Sequence, residues 1–258
     1  MQCKLCPSLR IDLQYSEFQV EGLLDFLESN GSQIREILFT HGQKFDKVLA
    51  AFSRVACPKL KTFRMLNLIL MNKSMRGVEE SCGFPLLEEL SLATTLYSFT
   101  SDKDLLHILF GSTKLRVLDL RGCFRITPAG LAALPCSDLE CLFWGQYFTS
   151  SVGSSSLSKT GLHLLTQKWR QTLQQLDIAN QLFMEEYLEC AVSFLSQAPD
   201  TLRSLNLSGT RISPAPLRAL LGQTTLNYLN LSSRHTGIKK ISSSFSSKLS
   251  SIQFCTSV

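Results

Sequence analysis

The chain repeats one phrase of apolar and polar positions. At Leu115–Cys123 it reads LRVLDLRGC, with apolar residues at the first, fourth and sixth places and Cys at the ninth. The same spacing returns at Ile34-Ile37-Phe39, Leu60-Phe63-Met65, Leu87-Leu90-Leu92, Leu139-Leu142-Trp144, Leu173-Leu176-Ile178, Leu202-Leu205-Leu207 and Leu226-Leu229-Leu231. That makes eight copies, and a ninth around Leu9-Ile11-Leu13 keeps the alternation in a slipped register. Alternation of period two predicts a short strand in each copy, its apolar side chains all pointing to one face.

Between these strands the period changes to that of a helix. Val20, Leu23, Leu24 and Leu27 predict a helix that Asn30-Gly31 stops, and Phe45, Val48, Leu49 and Phe52 predict another over residues 44–55. Pro58 and Pro85 punctuate the entries to strands at Lys61–Leu66 and Glu89–Ala93. Ser101 with Asp104 predicts an N-cap for a helix over 101–110. Thr127-Pro128 and Ser213-Pro214 both place a hydroxyl at the cap and Pro at the first helical position. Leu162, Leu164, Leu165 and Trp169 predict the helix before a strand at Gln175–Ala179.

The phrase L-x-x-L-x-L-x-x-(N/C) resembles the leucine-rich repeat, in which a strand turns its Leu residues inward and a buried polar residue or Cys closes the turn. Copies recur at intervals of about 24 to about 34 residues, mostly inside the range of about 20–29 expected of such repeats. The ninth place fits at Thr95, Cys123 and Thr210 but departs at Tyr147, Gln181 and Arg234, where looser turns are expected. The resemblance implies an α/β leucine-rich-repeat solenoid, curved, with parallel strands on the concave face and helices on the convex face. We expect residues 1–233 to form one such domain of about eight or nine repeats. A Ser/Gly-rich loop at Gly145–Lys159, rooted at Tyr147 and Phe148, should protrude from it. A Ser-rich tail over 234–258 lacks the ladder and is expected to be disordered.

Composition narrows the function classes. The net charge of +5 is spread without a block of like charges, so neither a nucleic-acid-binding arm nor a membrane-surface arm is expected. The longest apolar run, Met65–Met71, is far short of the ~20 residues of a spanning helix, and the N-terminus has no signal-peptide core. Nine scattered Cys residues suggest thiols in a reducing compartment, cytoplasmic or nuclear. Cys3-x-x-Cys6 lacks the second pair that zinc needs, and we expect no metal and no cofactor. Sequons at Asn72, Asn206 and Asn230 have no secretion signal ahead of them, and two of the three lie in predicted strands. No nucleotide-binding or hydrolase motif occurs, and the four His residues stand apart, so no catalytic residue is assigned.

What remains is a surface. Strand positions between the inward residues are Glu36, Thr62, Glu89, Val117, Cys141, Gln175, Ser204 and Tyr228, each followed two places on by Leu38, Arg64, Ser91, Asp119, Phe143, Asp177, Asn206 and Asn230. The second set is the candidate site for a protein partner. Asp119, Asp177, Asn206 and Asn230 make a polar row, and Leu38 and Phe143 place apolar groups where solvent is expected, marking contact points.

Three strings, LRVLDLRGCFRITPAGLAALPC, LTQKWRQTLQQLDI and LRSLNLSGTRISPAPLRALL, resemble the repeats of the F-box/leucine-rich-repeat proteins over residues 115–232. That family implies a non-catalytic substrate receptor of an SCF-type (Skp1-cullin-F-box) ubiquitin ligase, its repeats holding the protein to be ubiquitinated. Skp1 and cullin are implied as partners only where an F-box is present. This sequence opens in a repeat, so we expect a fragment, an isoform or an incomplete gene model of a longer receptor. The alternative is a free-standing leucine-rich scaffold or inhibitor that binds its partner without ubiquitination.

Overall fold

The computed structural model describes residues 8–12, 20–42, 55, 57–68, 83–93, 101–147, 160–197, 201–220, 224–232 and 251–253. The helix expected over 44–55 (apart from Val55), Cys3, Cys6, Phe148–Lys159 and most of 234–258 lie outside them. The chain divides into two compact units, Met1–Ile126 with Ala133–Ser137, and Thr127–Ala132 with Asp138–Val258.

Unit 1 is built on strands β1 (Ser8–Asp12), β2 (Glu36–Gly42), β3 (Thr62–Leu68), β4 (Glu89–Ser91) and β5 (Val117–Asp119), each parallel to the next. Helices α1 (Val20–Asn30) and α2 (Asp102–Ile108) lie in the connections. The slipped first copy is explained by its register. Leu9 pairs opposite Ile37 and Ile11 opposite Phe39, so these two fill the fourth and sixth places of the phrase.

Unit 2 contains α3 (Pro128–Ala132), β6 (Cys141–Phe143), α4 (Leu162–Lys168), β7 (Gln175–Asp177), α5 (Glu185–Ser196), β8 (Ser204–Asn206), α6 (Pro214–Ala219), β9 (Tyr228–Asn230) and β10 (Ser251–Gln253). Its strands also pair parallel in chain order, β6 to β7, β8, β9 and then β10. The last rung was not marked by any Leu ladder. Ile252 of β10 sits opposite Leu229.

The apolar phrase is the core. All 24 side chains of the eight copies at the first, fourth and sixth places are buried, none exposed by more than 3%. Each such Leu contributes about 1.5–3 kcal/mol of burial. Aromatic rings replace Leu where the strands leave more room. Phe39, Phe63 and Phe84 stack edge-on at 6.3 and 5.8 Å in unit 1, and Trp144 meets Phe183 at 5.7 Å in unit 2.

A second ladder, of hydroxyls, runs beside the core in unit 2. Thr172, Thr201 and Thr225 each precede the first Leu of a copy, and each donates through Oγ1 to the carbonyl one copy back: Leu139 at 2.7 Å, Leu173 at 3.2 Å and Leu202 at 2.9 Å. These bonds satisfy carbonyls that the short strands leave unpaired. Our sequence reading did not single these Thr residues out.

Capping divides into two outcomes. Ser101 and Asp104 form the reciprocal box, Ser101 N–H donating to Oδ2 at 3.0 Å, and Thr127 Oγ1 accepts from Gly130 N–H at 3.2 Å. Ser213 corrects the expectation: α6 has no side-chain cap, its third helical place being Pro216 with no N–H to donate, and the Ser213 hydroxyl instead donates to Glu189 Oε1 at 2.8 Å.

The expected loose turn at Gln181 is also corrected. Its side chain is 1% exposed and Nε2 donates to the Trp144 carbonyl of the preceding copy at 2.6 Å. Cys123 performs the same closure with Sγ on the Leu92 carbonyl at 3.6 Å, and Thr210 closes its own turn on Leu207 at 2.7 Å. The longer amide of Gln reaches what Asn or Cys would have reached, so the turn tightens without the consensus residue. Tyr147, by contrast, is 42% exposed. Arg234 lies outside the described residues.

Candidate functional site

Register decides which outward residues can act together. In unit 1, Leu38, Arg64, Ser91 and Asp119 sit opposite one another on consecutive strands. In unit 2, Phe143, Asp177, Asn206 and Asn230 do the same. All eight candidate residues therefore fall into one row per unit. A parallel row two residues earlier holds Glu36, Thr62, Glu89 and Val117 in unit 1, and Cys141, Gln175, Ser204 and Tyr228 in unit 2.

The charged members of the unit 1 row are bonded to neighbours beside it. Arg64 grips Glu89 on the next strand through two bonds, Nε to Oε1 at 2.6 Å and Nη2 to Oε2 at 2.8 Å. That bond, with the nearby negative charge of Glu36, holds the Arg64 proton more firmly than usual despite partial burial. Lys61 and Glu88 pair at 2.6 Å in the same strand pair. Asp119 takes Arg121 at Nε (3.0 Å) and Nη2 (2.6 Å) and the Arg121 backbone N–H at 3.2 Å. Ser91 and Asp119 are buried, at 4% and 8% exposure, and the Ser91 hydroxyl has no hydrogen-bond partner among the described residues. Leu38 is part-exposed and Arg64 exposed.

The unit 2 row shows what the polar column does locally. Asp177 Oδ1 accepts from Ala179 N–H at 2.9 Å, Asn206 Oδ1 from Ser208 N–H at 3.1 Å and Asn230 Oδ1 from Ser232 N–H at 3.0 Å. With Asp119 this makes four copies in which an Asp or Asn side-chain oxygen catches the N–H two residues on. β7 stops at Asp177 and not at the expected Ala179, and the Asp177 side chain bonds the N–H of that same Ala179. Asp and Asn recurring at the strand end was the signal for this role. Phe143, Asp177, Asn206 and Asn230 are all part-exposed.

Close backbone approach fixes the turns beyond the row. Asn180 adopts φ 57° and donates its backbone N–H to the Ser208 carbonyl at 2.7 Å and Nδ2 to the Gln146 carbonyl at 2.7 Å. Gly209, at φ 69°, lies so near that a Cβ there would come within 2.1 Å of Asn180 Oδ1. Only Gly fits.

Among the described residues no group of three His, Cys, Asp or Glu could hold a metal ion. No described helix is long and apolar enough to cross a membrane. Cys57, Cys123 and Cys136 are buried, Cys141 is part-exposed and Cys190 is exposed.

Residues 111–134 match the family described as Leucine Rich repeat. No curated protein matches the chain. Among solved structures it is similar to a chain of the yeast Rad7 and Elc1 complex, at 16% identity over 96% of this chain and 63% of that one, with a TM-score of 0.62. It is also similar to a Bacteroides fragilis protein (13% identity, 98% and 66% coverage, TM-score 0.46) and to the leucine-rich-repeat-containing protein LegL7 from Legionella pneumophila (14%, 86% and 72%, TM-score 0.45). The chain spans less than two thirds of the length of the Rad7–Elc1 chain that it matches. Repeat phrase, parallel register and the likeness to the Rad7–Elc1 chain agree on the fold: the chain is built of α/β leucine-rich repeats and has the solenoid fold of that class.

Proposed function

We propose that this chain is the substrate-recognition part of an SCF-type ubiquitin ligase receptor, holding the protein to be ubiquitinated on its strand face. A leucine-rich-repeat fold of this kind is a protein-binding scaffold, and that coarser function rests on the fold itself. The observation that carries it is the register: eight outward residues fall into one row per unit, six of them at least part-exposed. A lattice of side chains on parallel strands suits a protein surface better than a small molecule.

The ligase assignment is supported by the resemblance of residues 115–232 to F-box/leucine-rich-repeat proteins. The neighbouring Rad7 structure is itself that of a complex with Elc1. In this role the chain does no chemistry, the ligase activity belongs to the assembly, and the protein works in the cytoplasm or nucleus. Skp1 and cullin join only where an F-box is present in a longer form.

The test is capture of neighbours by proximity labelling from the repeat region, followed by the half-life of each captured protein after depletion of the gene product. A captured protein whose half-life lengthens, and which loses ubiquitin on depletion, supports the receptor. Captured partners whose turnover is unchanged overturn it in favour of a free-standing scaffold or inhibitor.

A further inference from the structure

The two rows differ in what they leave unspent. In unit 1 charge is consumed within the face, Arg64 by Glu89 and Asp119 by Arg121. In unit 2 the amides of Asn206 and Asn230 use Oδ1 on the turn, and their Nδ2 groups make no hydrogen bond among the described residues. The turn bond also settles which way each amide lies, because a flipped amide would set N–H against N–H. The outward group is therefore a fixed donor. Gln175 and Ser204, part-exposed in the adjoining row, likewise make no side-chain hydrogen bond among the described residues.

Resting on the protein-binding reading above, we propose that the unit 2 face reads hydrogen-bond acceptors and binds an extended, uncharged partner segment through its main-chain carbonyls. Asn206 and Asn230 face each other across adjacent strands, roughly 4.8 Å apart at the backbone, so a chain laid across the strands meets one donor after the other. Carboxylate acceptors are disfavoured because Asp177 occupies the next rung, in register with Asn206. Phe143, one rung further, offers an apolar contact to the same segment. Arg203 is exposed but stands at the opposite end of β8, three residues before Asn206.

Asn→Asp is the discriminating change. Asp retains the oxygen that accepts the turn N–H, so the strand end is preserved, and it replaces the outward donor by an acceptor. A phage-displayed library of random peptides is selected on the full chain 1–258, and the selected pool is measured on the double variant Asn206→Asp/Asn230→Asp and on Phe143→Ala. Melting temperatures are compared first to show that both variants fold. The expected result is a pool poor in Asp and Glu whose affinity falls at least about tenfold on the double variant. Ester replacement of individual peptide bonds, which weakens a carbonyl as acceptor, should reproduce the loss at two positions. A pool that loses affinity on Phe143→Ala but not on the double variant overturns the donor row and leaves the protein-binding face standing. Carboxylate-rich peptides that salt releases overturn the choice of main-chain carbonyls. A pool indifferent to both variants counts against the face altogether.

Discussion

Leu205→Ala tests the register at its most enclosed point. The side chain is fully buried, with Leu176 and Leu229 opposite it on the two flanking strands. Truncation removes three carbons, about 2.4 kcal/mol at ~0.8 kcal/mol per buried methylene. Neighbours held on hydrogen-bonded strands cannot close the gap fully, so a cavity term brings the expected loss to about 3 kcal/mol, within the measured span of roughly 2–5. Both Trp residues of the chain, Trp144 and Trp169, are buried in unit 2. Urea unfolding followed by Trp fluorescence therefore reports the unit that carries the change. The midpoint should fall with the slope unchanged. Ser204→Ala, one residue away on the opposite face, is the reference and should stay within about 0.5 kcal/mol. A loss below about 1 kcal/mol for Leu205→Ala, or an equal loss for Ser204→Ala, would show that the inward and outward faces are misassigned.

Three further outcomes follow from the turns and caps. Gly209→Ala should cost more than about 1 kcal/mol, since the left-handed φ of 69° and the Asn180 oxygen both oppose a Cβ, and thermal melting reads the loss. Thr127→Ala should cost about 1 kcal/mol by loss of its cap, whereas Ser213→Ala should leave α6 as well capped as before, a contrast measurable by urea midpoints. Gln181→Ala strands the Trp144 carbonyl and should cost about 1–3 kcal/mol, and Gln181→Leu, which keeps the bulk, should recover little of it.

The strands were legible because one face of each is buried. A slip of one residue would exchange Leu118 for Val117 or Asp119, so burial and spacing determine each other. The same logic failed at β1 only by a frame, since Leu9 and Ile11 fill the later two places of the phrase and a Leu at the first place was not there to anchor it. Turn closure was harder to read because several chemistries perform it. Cys123, Thr210 and Gln181 differ in length and donor strength, yet each delivers a hydrogen to a carbonyl that the short strand leaves open. A template that scores identity at the ninth place misses a function that depends on reach.

For the surface, periodicity identifies which side chains face outward but not what each is already bonded to. Arg64 and Asp119 read in the sequence as charges offered to a partner, and in the fold each is held by a neighbour 2.6 Å away. A partner that engages either group must first separate a two-bonded ion pair, and a new pair formed at an exposed site returns only about 0–1 kcal/mol. Asn206 and Asn230 look blander, yet their Nδ2 donors hold no bond among the described residues that a contact would have to break. On the proposed reading, the partner-facing weight falls on Asn206 and Asn230, where the turn bond has already ordered the side chain.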